Sequence, residues 1–461
     1  MGDILDRRHR LPTAGLLLLV TMVAFEAMAV GTAMPTVVAE LDGLSWYGWP
    51  FSAYLVASVV GMVVGGDLGD RRGPRTALVL GVGLFGAGLL AGGLAGGMAP
   101  FVAARGLQGV GGGLIAVSLY VVAGQAYEPH LRPRLFGAIS AAWVLPALVG
   151  PLVAGLVTTH VGWRWVFLAL LPLAVLSLLL VLPALQHLPV SPATGPGGRV
   201  GRPAWALVAG LGIAALQVAG QRLDLLAPVV AVGGLVALAA GLRRLLPDGV
   251  GRARGGLPAV VAARGLLAGA FFGMDVLLPL ALTRLHGYGP AAAGIPLTAG
   301  AVGWAVASHV QGRYPAVSRV RLLRLGFVLV AGGVAASALV AVPGVGGWPA
   351  YLTWAVAGLG MGLGMPSVGV LLLEQSPEDR RGADSAAFQI ADVTTSALCV
   401  GLVGVLVAAA TAGVLPLAGA VVVAAGLLSA LAAVGAVLAP RAAAPAAPAG
   451  AAAPATTLAA S

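Results

Sequence analysis

Apolar residues run along this chain in unbroken stretches, cut apart by short clusters of arginine, aspartate, glycine and proline. Each stretch is roughly 20 residues long, enough for a helix to cross a bilayer, and none alternates as barrel strands of about 10 residues do. Fourteen spans are predicted. Six come first, at 14–35, 50–69, 76–97, 100–127, 134–158 and 163–184; two shorter ones follow, at 204–221 and 225–243; six more lie at 257–282, 290–311, 322–342, 347–373, 383–409 and 413–438. The chain thus divides into an N-terminal six-helix bundle (1–184), a linker with two extra transmembrane helices (185–256), a C-terminal six-helix bundle (257–438) and an Ala/Pro-rich tail (439–461) expected to be disordered.

Composition removes the soluble alternative. Of 461 residues 59% are hydrophobic and mean hydropathy is +0.98, too little polar surface to cover a globule of this size. The expectation is an all-α integral membrane protein, and its 70 glycines suit close helix contacts in lipid. The net charge of +10 does not point to nucleic acid, because the arginines are spread over short loops between spans. On this map 21 arginines fall on the side of the two termini, and only Arg164, Arg222 and Arg284 on the other. Such a bias predicts a multi-pass protein of the inner (cytoplasmic) membrane with both termini cytoplasmic. Losing one linker span would invert every later loop. Losing both would not, so only the hydropathy of 204–243 separates fourteen spans from twelve. Trp46, Tyr47, Trp49, Trp163, Trp165 and Trp348 are expected as outer interface anchors.

All 26 basic residues are arginine. A phosphate-binding P-loop needs its lysine, so ATP hydrolysis by that route is excluded and a gradient is the expected energy source, with no cofactor. The lone Cys399 forms no intramolecular disulfide. The six histidines are scattered, without a metal motif, so no metal site and no enzyme activity is expected.

The densest charge is Gly66-Asp67-Leu68-Gly69-Asp70-Arg71-Arg72-Gly73-Pro74-Arg75, read as a tight turn whose acids cap the following helix. A weak internal repeat relates the two blocks: Gly106, Gly109, Gly111, Gly112 and Gly113 in the fourth span match Gly358, Gly360, Gly362 and Gly364 in the twelfth.

These residues resemble the major facilitator superfamily, most closely its fourteen-helix drug/proton antiporters (the multidrug efflux type), over nearly the whole chain except its tail. The superfamily loop pattern G-x-L-a-D-r-x-G-r is met by Gly66, Leu68, Asp70, Arg71 and Gly73, with Asp67 inside it and Pro74 and Arg75 closing it. The resemblance implies that this loop gates the cytoplasmic ends of two six-helix bundles. The pattern R-x-x-q-G-x-g is met by Arg105, Gln108, Gly109 and Gly111, implying a part for Arg105 in proton coupling. The helix-5 antiporter pattern is met by Gly137, Gly150, Pro151 and Gly155, while Pro146 and Ala154 replace two family glycines. In the helix-1 pattern, Glu26 stands for the family's Asp at the kept spacing to Pro35, and Met28 and Gly31 stand where the family has Thr and Asn.

Few acids lie deep in apolar runs. Glu26, Asp275 and Asp392 do, and intramembrane acids are functional by default. Ionisation there is costly, so a carboxylate can hold a proton near neutral pH and release it to arriving water or cation. Alternatively each is neutral or paired, for instance Glu26 with Arg105, and only holds helices together. Met28, Gln108, Trp143, Phe272 and Gln389 are candidates to line a substrate cavity. The resemblance implies a monomeric, proton-coupled exporter of small hydrophobic or cationic compounds, hence an antibiotic-resistance antiporter working by alternating access. The alternative is a proton symporter or facilitator for a small metabolite on the same fold.

Overall fold

The computed structural model describes residues 4–6, 9–128, 130–185, 202–221, 226–314, 316–377 and 381–443. Among the described residues there are fifteen α-helices: α1 (Arg10–Glu40), α2 (Trp49–Arg72), α3 (Pro74–Gly93), α4 (Met98–Ala126), α5 (Arg132–His160), α6 (Arg164–Leu168), α7 (Leu170–Leu185), α8 (Arg202–Gln221), α9 (Ala227–Leu245), α10 (Leu257–His286), α11 (Pro290–Gly312), α12 (Arg319–Ser337), α13 (Pro349–Gln375), α14 (Arg381–Thr411) and α15 (Leu417–Leu438). Helices α6 and α7 together make the sixth span. Among the described residues thirteen spans are long and apolar enough to cross a membrane, and α5 contributes its own apolar stretch, Leu145–His160. Proline in the first two positions opens α2, α3, α5, α9, α10, α11 and α13, where its missing N–H is no loss. Prolines inside helices, such as Pro35 and Pro279, are kept because neighbouring helices shield the freed carbonyls.

Helices α1–α7 pack among themselves and α10–α15 do the same, with the contacts of one block repeated in the other. Helix α4 wedges between α2 and α3, as α13 does between α11 and α12; α1 lies along α5, as α10 lies along α14. The matched glycines explain the wedge. A Cβ on Gly113 would sit 2.1 Å from the Ser58 carbonyl oxygen of α2, and one on Gly111 2.3 Å from the Phe85 nitrogen of α3. On α13, a Cβ on Gly358 would meet the Gly300 oxygen of α11 at 1.9 Å, and one on Gly360 the Gly326 oxygen of α12 at 2.5 Å. Alternating glycines thus serve alternate neighbours, and backbones touch where side chains would hold them apart.

The blocks meet through α5 against α11 and α2 against α14. At the end away from the termini this seam is tight. A Cβ on Gly48 would lie 2.6 Å from Gly404 Cα, one on Gly155 2.4 Å from Ala291 Cα, and one on Gly294 2.8 Å from Thr32. Helix α8 leans on α2 and α14 together, so it straddles the seam, while α9 leans on α8.

Four expectations change. The charged segment 66–75 is not a turn: α2 stays helical through Arg72, and only Gly73, at φ 84°, separates it from α3. Among the described residues no side chain caps α3, whose N-cap is Gly73 itself. Tyr47 and Trp163 are buried rather than interfacial: Tyr47 donates to the Val276 carbonyl oxygen, and Trp163 Nε1 donates to Glu40 Oε2 at 2.7 Å, whereas Trp46, Trp165 and Trp348 are exposed. The tail starts later than expected, since Ala439–Ala442 form a 3₁₀ turn that accepts from Gly256 N at 2.8 Å; residues 444–461 lie outside the described ones.

Candidate functional site

Among the described residues, three polar groups built on the expected acids Glu26, Asp275 and Asp392 sit inside the helical interior. The first joins α1 to α4. Glu26 is fully buried at 0% exposure and Arg105 nearly so at 3%; Arg105 Nη1 donates to Glu26 Oε1 and to Gln108 Oε1. The Arg105 guanidinium lies over the Tyr54 ring at 4.5 Å, and its Nε reaches the Pro50 carbonyl oxygen at 3.4 Å. A buried arginine survives here because carboxylate, amide, ring and carbonyl together replace its water. Among the described residues the pairing leaves Glu26 Oε2 and Gln108 Nε2 buried without a hydrogen-bond partner.

The second group repeats the first in the other block, joining α10 to α13. Asp275 Oδ1 accepts from Trp354 Nε1 at 3.0 Å. Trp354 stacks on Phe271 with centroids 4.7 Å apart, and Phe271 meets Phe272 and Trp304 edge-on at 5.4 and 5.9 Å. Where Glu26 faces a cation, Asp275 faces a neutral donor within an aromatic wall. Tyr47 reaches across from the first block to the carbonyl of Val276, next to Asp275.

The third group joins α10 to α14 nearer the termini. Arg264 Nε donates to Asp392 Oδ2 at 2.8 Å, Arg264 Nη1 reaches Met365 Sδ at 2.8 Å, and the guanidinium lies 4.9 Å from the Phe388 ring centroid. Gln389 is half-buried one turn before Asp392, on the same helix face.

The structure therefore gathers Glu26, Arg105 and Gln108 in one place, Asp275 and Phe272 in a second, and Asp392 and Gln389 in a third. Met28 is half-buried and packs under Gly150, whose Cβ would lie 3.3 Å from Met28 Cβ. Trp143 on α5 is 41% exposed. Gly137, Gly150, Pro151 and Gly155 all lie on α5; Gly155 meets α11, and the Pro151 oxygen stands 2.9 Å from where a Gly294 Cβ would be. In the charged segment, Arg71 pairs with Asp67 at 2.9 Å one helical turn away, a Cβ on Gly66 or Gly69 would meet nothing within 4 Å, Arg75 is exposed, and the Asp70 side chain falls outside the described residues.

Trp354, Tyr54 and the partnership of Arg264 with Asp392 escape sequence reasoning. Arg264 carried a signal, being one of two arginines within spans. Trp354 carried none, because a tryptophan in an apolar helix usually packs against neighbours.

Comparison with known proteins agrees with this architecture. The sequence profile of the Major Facilitator Superfamily matches residues 16–398. The probable multidrug-efflux transporter Rv1634 of Mycobacterium tuberculosis is 29% identical over 406 residues, 82% of this chain and 84% of that protein. The multidrug transporter protein MdtP of Bacillus subtilis is 32% identical over 179 residues, 39% of this chain, and the match spans only about a third (33%) of that relative's length. The solved structure of the POT family transporter PepTSo superposes with a TM-score of 0.70 at 14% identity, covering 94% of this chain and 98% of that one, a likeness of fold alone. With a profile match over most of its length and the repeated six-helix architecture, this chain belongs to the major facilitator superfamily of membrane transporters.

Proposed function

We propose that this transporter is a proton-coupled antiporter that exports small hydrophobic or cationic compounds across the inner membrane, with both termini cytoplasmic and residues 1–184 and 257–438 moving as two bundles. The observation that carries the reading is the pair of equivalent intramembrane carboxylates, one on each bundle, Glu26 beside Arg105 and Asp275 beside Trp354. Relatives named for multidrug efflux support the direction.

Proton and cargo compete for these groups. A proton on Glu26 weakens its hold on Arg105 and gives the carboxyl a donor. A lipophilic cation entering beside Asp275 finds a carboxylate and the faces of Phe271, Phe272 and Trp354, which attract positive charge. Occupancy by one favours release of the other, and alternating access carries them in opposite directions. No ATP and no cofactor takes part. In the cell this is antibiotic resistance by efflux.

The test is transport of a lipophilic dye cation by the purified protein in liposomes under an imposed pH gradient. Wild type concentrates the dye and stops when a protonophore collapses the gradient; E26Q and D275N lose gradient-driven accumulation. Normal accumulation by E26Q would refute the role of Glu26, and insensitivity to the protonophore would refute proton coupling. Flux in everted vesicles separates export from the uptake expected of a symporter.

A further inference from the structure

Among the described residues the linker pair leaves a gap that no side chain fills. Helix α9 packs on α8, and only 22% of its span is buried. Val229, Val232, Leu235 and Val236 face outward from it, as Val434 and Val437 do from α15. Between α9 and the face formed by α10, α14 and α15 lies a crevice of about 620 Å³. That volume is in the range of small-molecule sites, roughly 300–1,000 Å³. Leu242, Leu266, Leu398 and Val434 form its walls. Its floor at the termini end is the segment 247–253, held in shape by left-handed Gly249 and Ala253, while Gly256 bonds to the Arg441 carbonyl at 2.8 Å.

The rim is cationic. Arg243 and Arg252 line the opening beside Asp248, and Arg244 and Arg254 flank them. All four arginines are exposed, and among the described residues none pairs with a carboxylate; Arg244 only lies over the Trp205 ring at 5.6 Å. An occupant must therefore enter from lipid, present hydrocarbon to the walls and carry negative charge at the level of the helix ends. Guanidinium forks match a phosphate diester well, and basic residues at that level attract anionic lipid.

We propose that this crevice binds one anionic phospholipid from the leaflet on the side of the termini, its phosphate on Arg243 and Arg252 and an acyl chain between α9 and α14. The lipid fastens the linker pair to the second bundle, where protein contacts are few.

Native mass spectrometry of the full-length protein in mild detergent tests this, with phosphatidylglycerol and phosphatidylcholine of identical chains as probes. Wild type retains phosphatidylglycerol in preference to phosphatidylcholine. The double variant R243Q/R252Q loses about ten-fold or more in phosphatidylglycerol retention, as two basic residues at a membrane surface predict. A239W, which fills the crevice from the exposed side of α9 with the arginines intact, lowers retention of the lipid as well. R321Q/R324Q, at the same end of α12 but outside the crevice, retains lipid as wild type does. Equal retention of the two lipids by wild type, or unchanged phosphatidylglycerol retention in both R243Q/R252Q and A239W, would overturn the proposal.

Discussion

At the scale of single residues, the interior is decided by what each charge is given in place of water. Arg105 and Glu26 are both buried and hold each other, so removing one strands the other. R105Q should lower stability by about 3–5 kcal/mol, the usual loss when one partner of a buried pair goes. E26Q/R105Q should lose less than the two single variants combined. Thermal unfolding in detergent reads both, and strict additivity would mean the pair is not coupled. Asp275 offers a finer test. W354F keeps the stack on Phe271 but strips the buried Asp275 carboxyl of its donor, so stability should fall by about 1–3 kcal/mol while gradient-driven dye accumulation is almost entirely lost. An equal, small effect on both would make Trp354 a packing residue. At the other extreme, Asp67 and Arg71 form their pair in the open. D67N should shift stability by less than about 1 kcal/mol, and a larger shift in melting would point to a contact that this arrangement lacks.

At the scale of helices, glycine position matters more than glycine content. G358A drives a methyl into the Gly300 carbonyl, whereas Gly369 on the same helix has nothing within 4 Å. G358A should therefore cost at least about 1–3 kcal/mol as overpacking does, and G369A should be neutral or slightly stabilising by helix propensity. The same melting assay compares them, and equal effects would remove the contact argument. This contrast also marks how far the sequence could be read. Long apolar runs made the spans legible, and the glycine repeat foreshadowed the wedged α4 and α13. Periodicity could not reveal which glycine faces which neighbour, because a helix apolar on all sides carries no pattern to orient it. The charged segment 66–75 misled for a related reason: Gly66 and Gly69 look like turn residues in water, but α2 runs through them and only Gly73 adopts a left-handed backbone. Glu26 and Asp275 were legible as lone acids in apolar runs. Trp354 was not, since its role depends on α13 lying beside α10, a fact of tertiary structure.

At the scale of the whole molecule, the seam between the blocks is tight at the end away from the termini, where Gly48 meets Gly404 and Gly155 meets Ala291. Gly155 and Ala291 hold the closed end, where Thr32 is fully buried against Gly294. G155L should pry α5 from α11. In a C399A background, a cysteine introduced by T32C should then react faster with a membrane-impermeant maleimide than it does beside Gly155. An unchanged rate would place the closure elsewhere.

Gly48 against Gly404 and Gly155 against Ala291 also bear on how such a closure can part. At these two contacts main chain rests on main chain, and the side chain that does cross beside them is Tyr47, whose hydroxyl holds the Val276 carbonyl oxygen of the other block. Once the Tyr47 hydroxyl lets go, the glycine-lined faces can come apart as smooth plates do, with water wetting the freshly bared peptide edges.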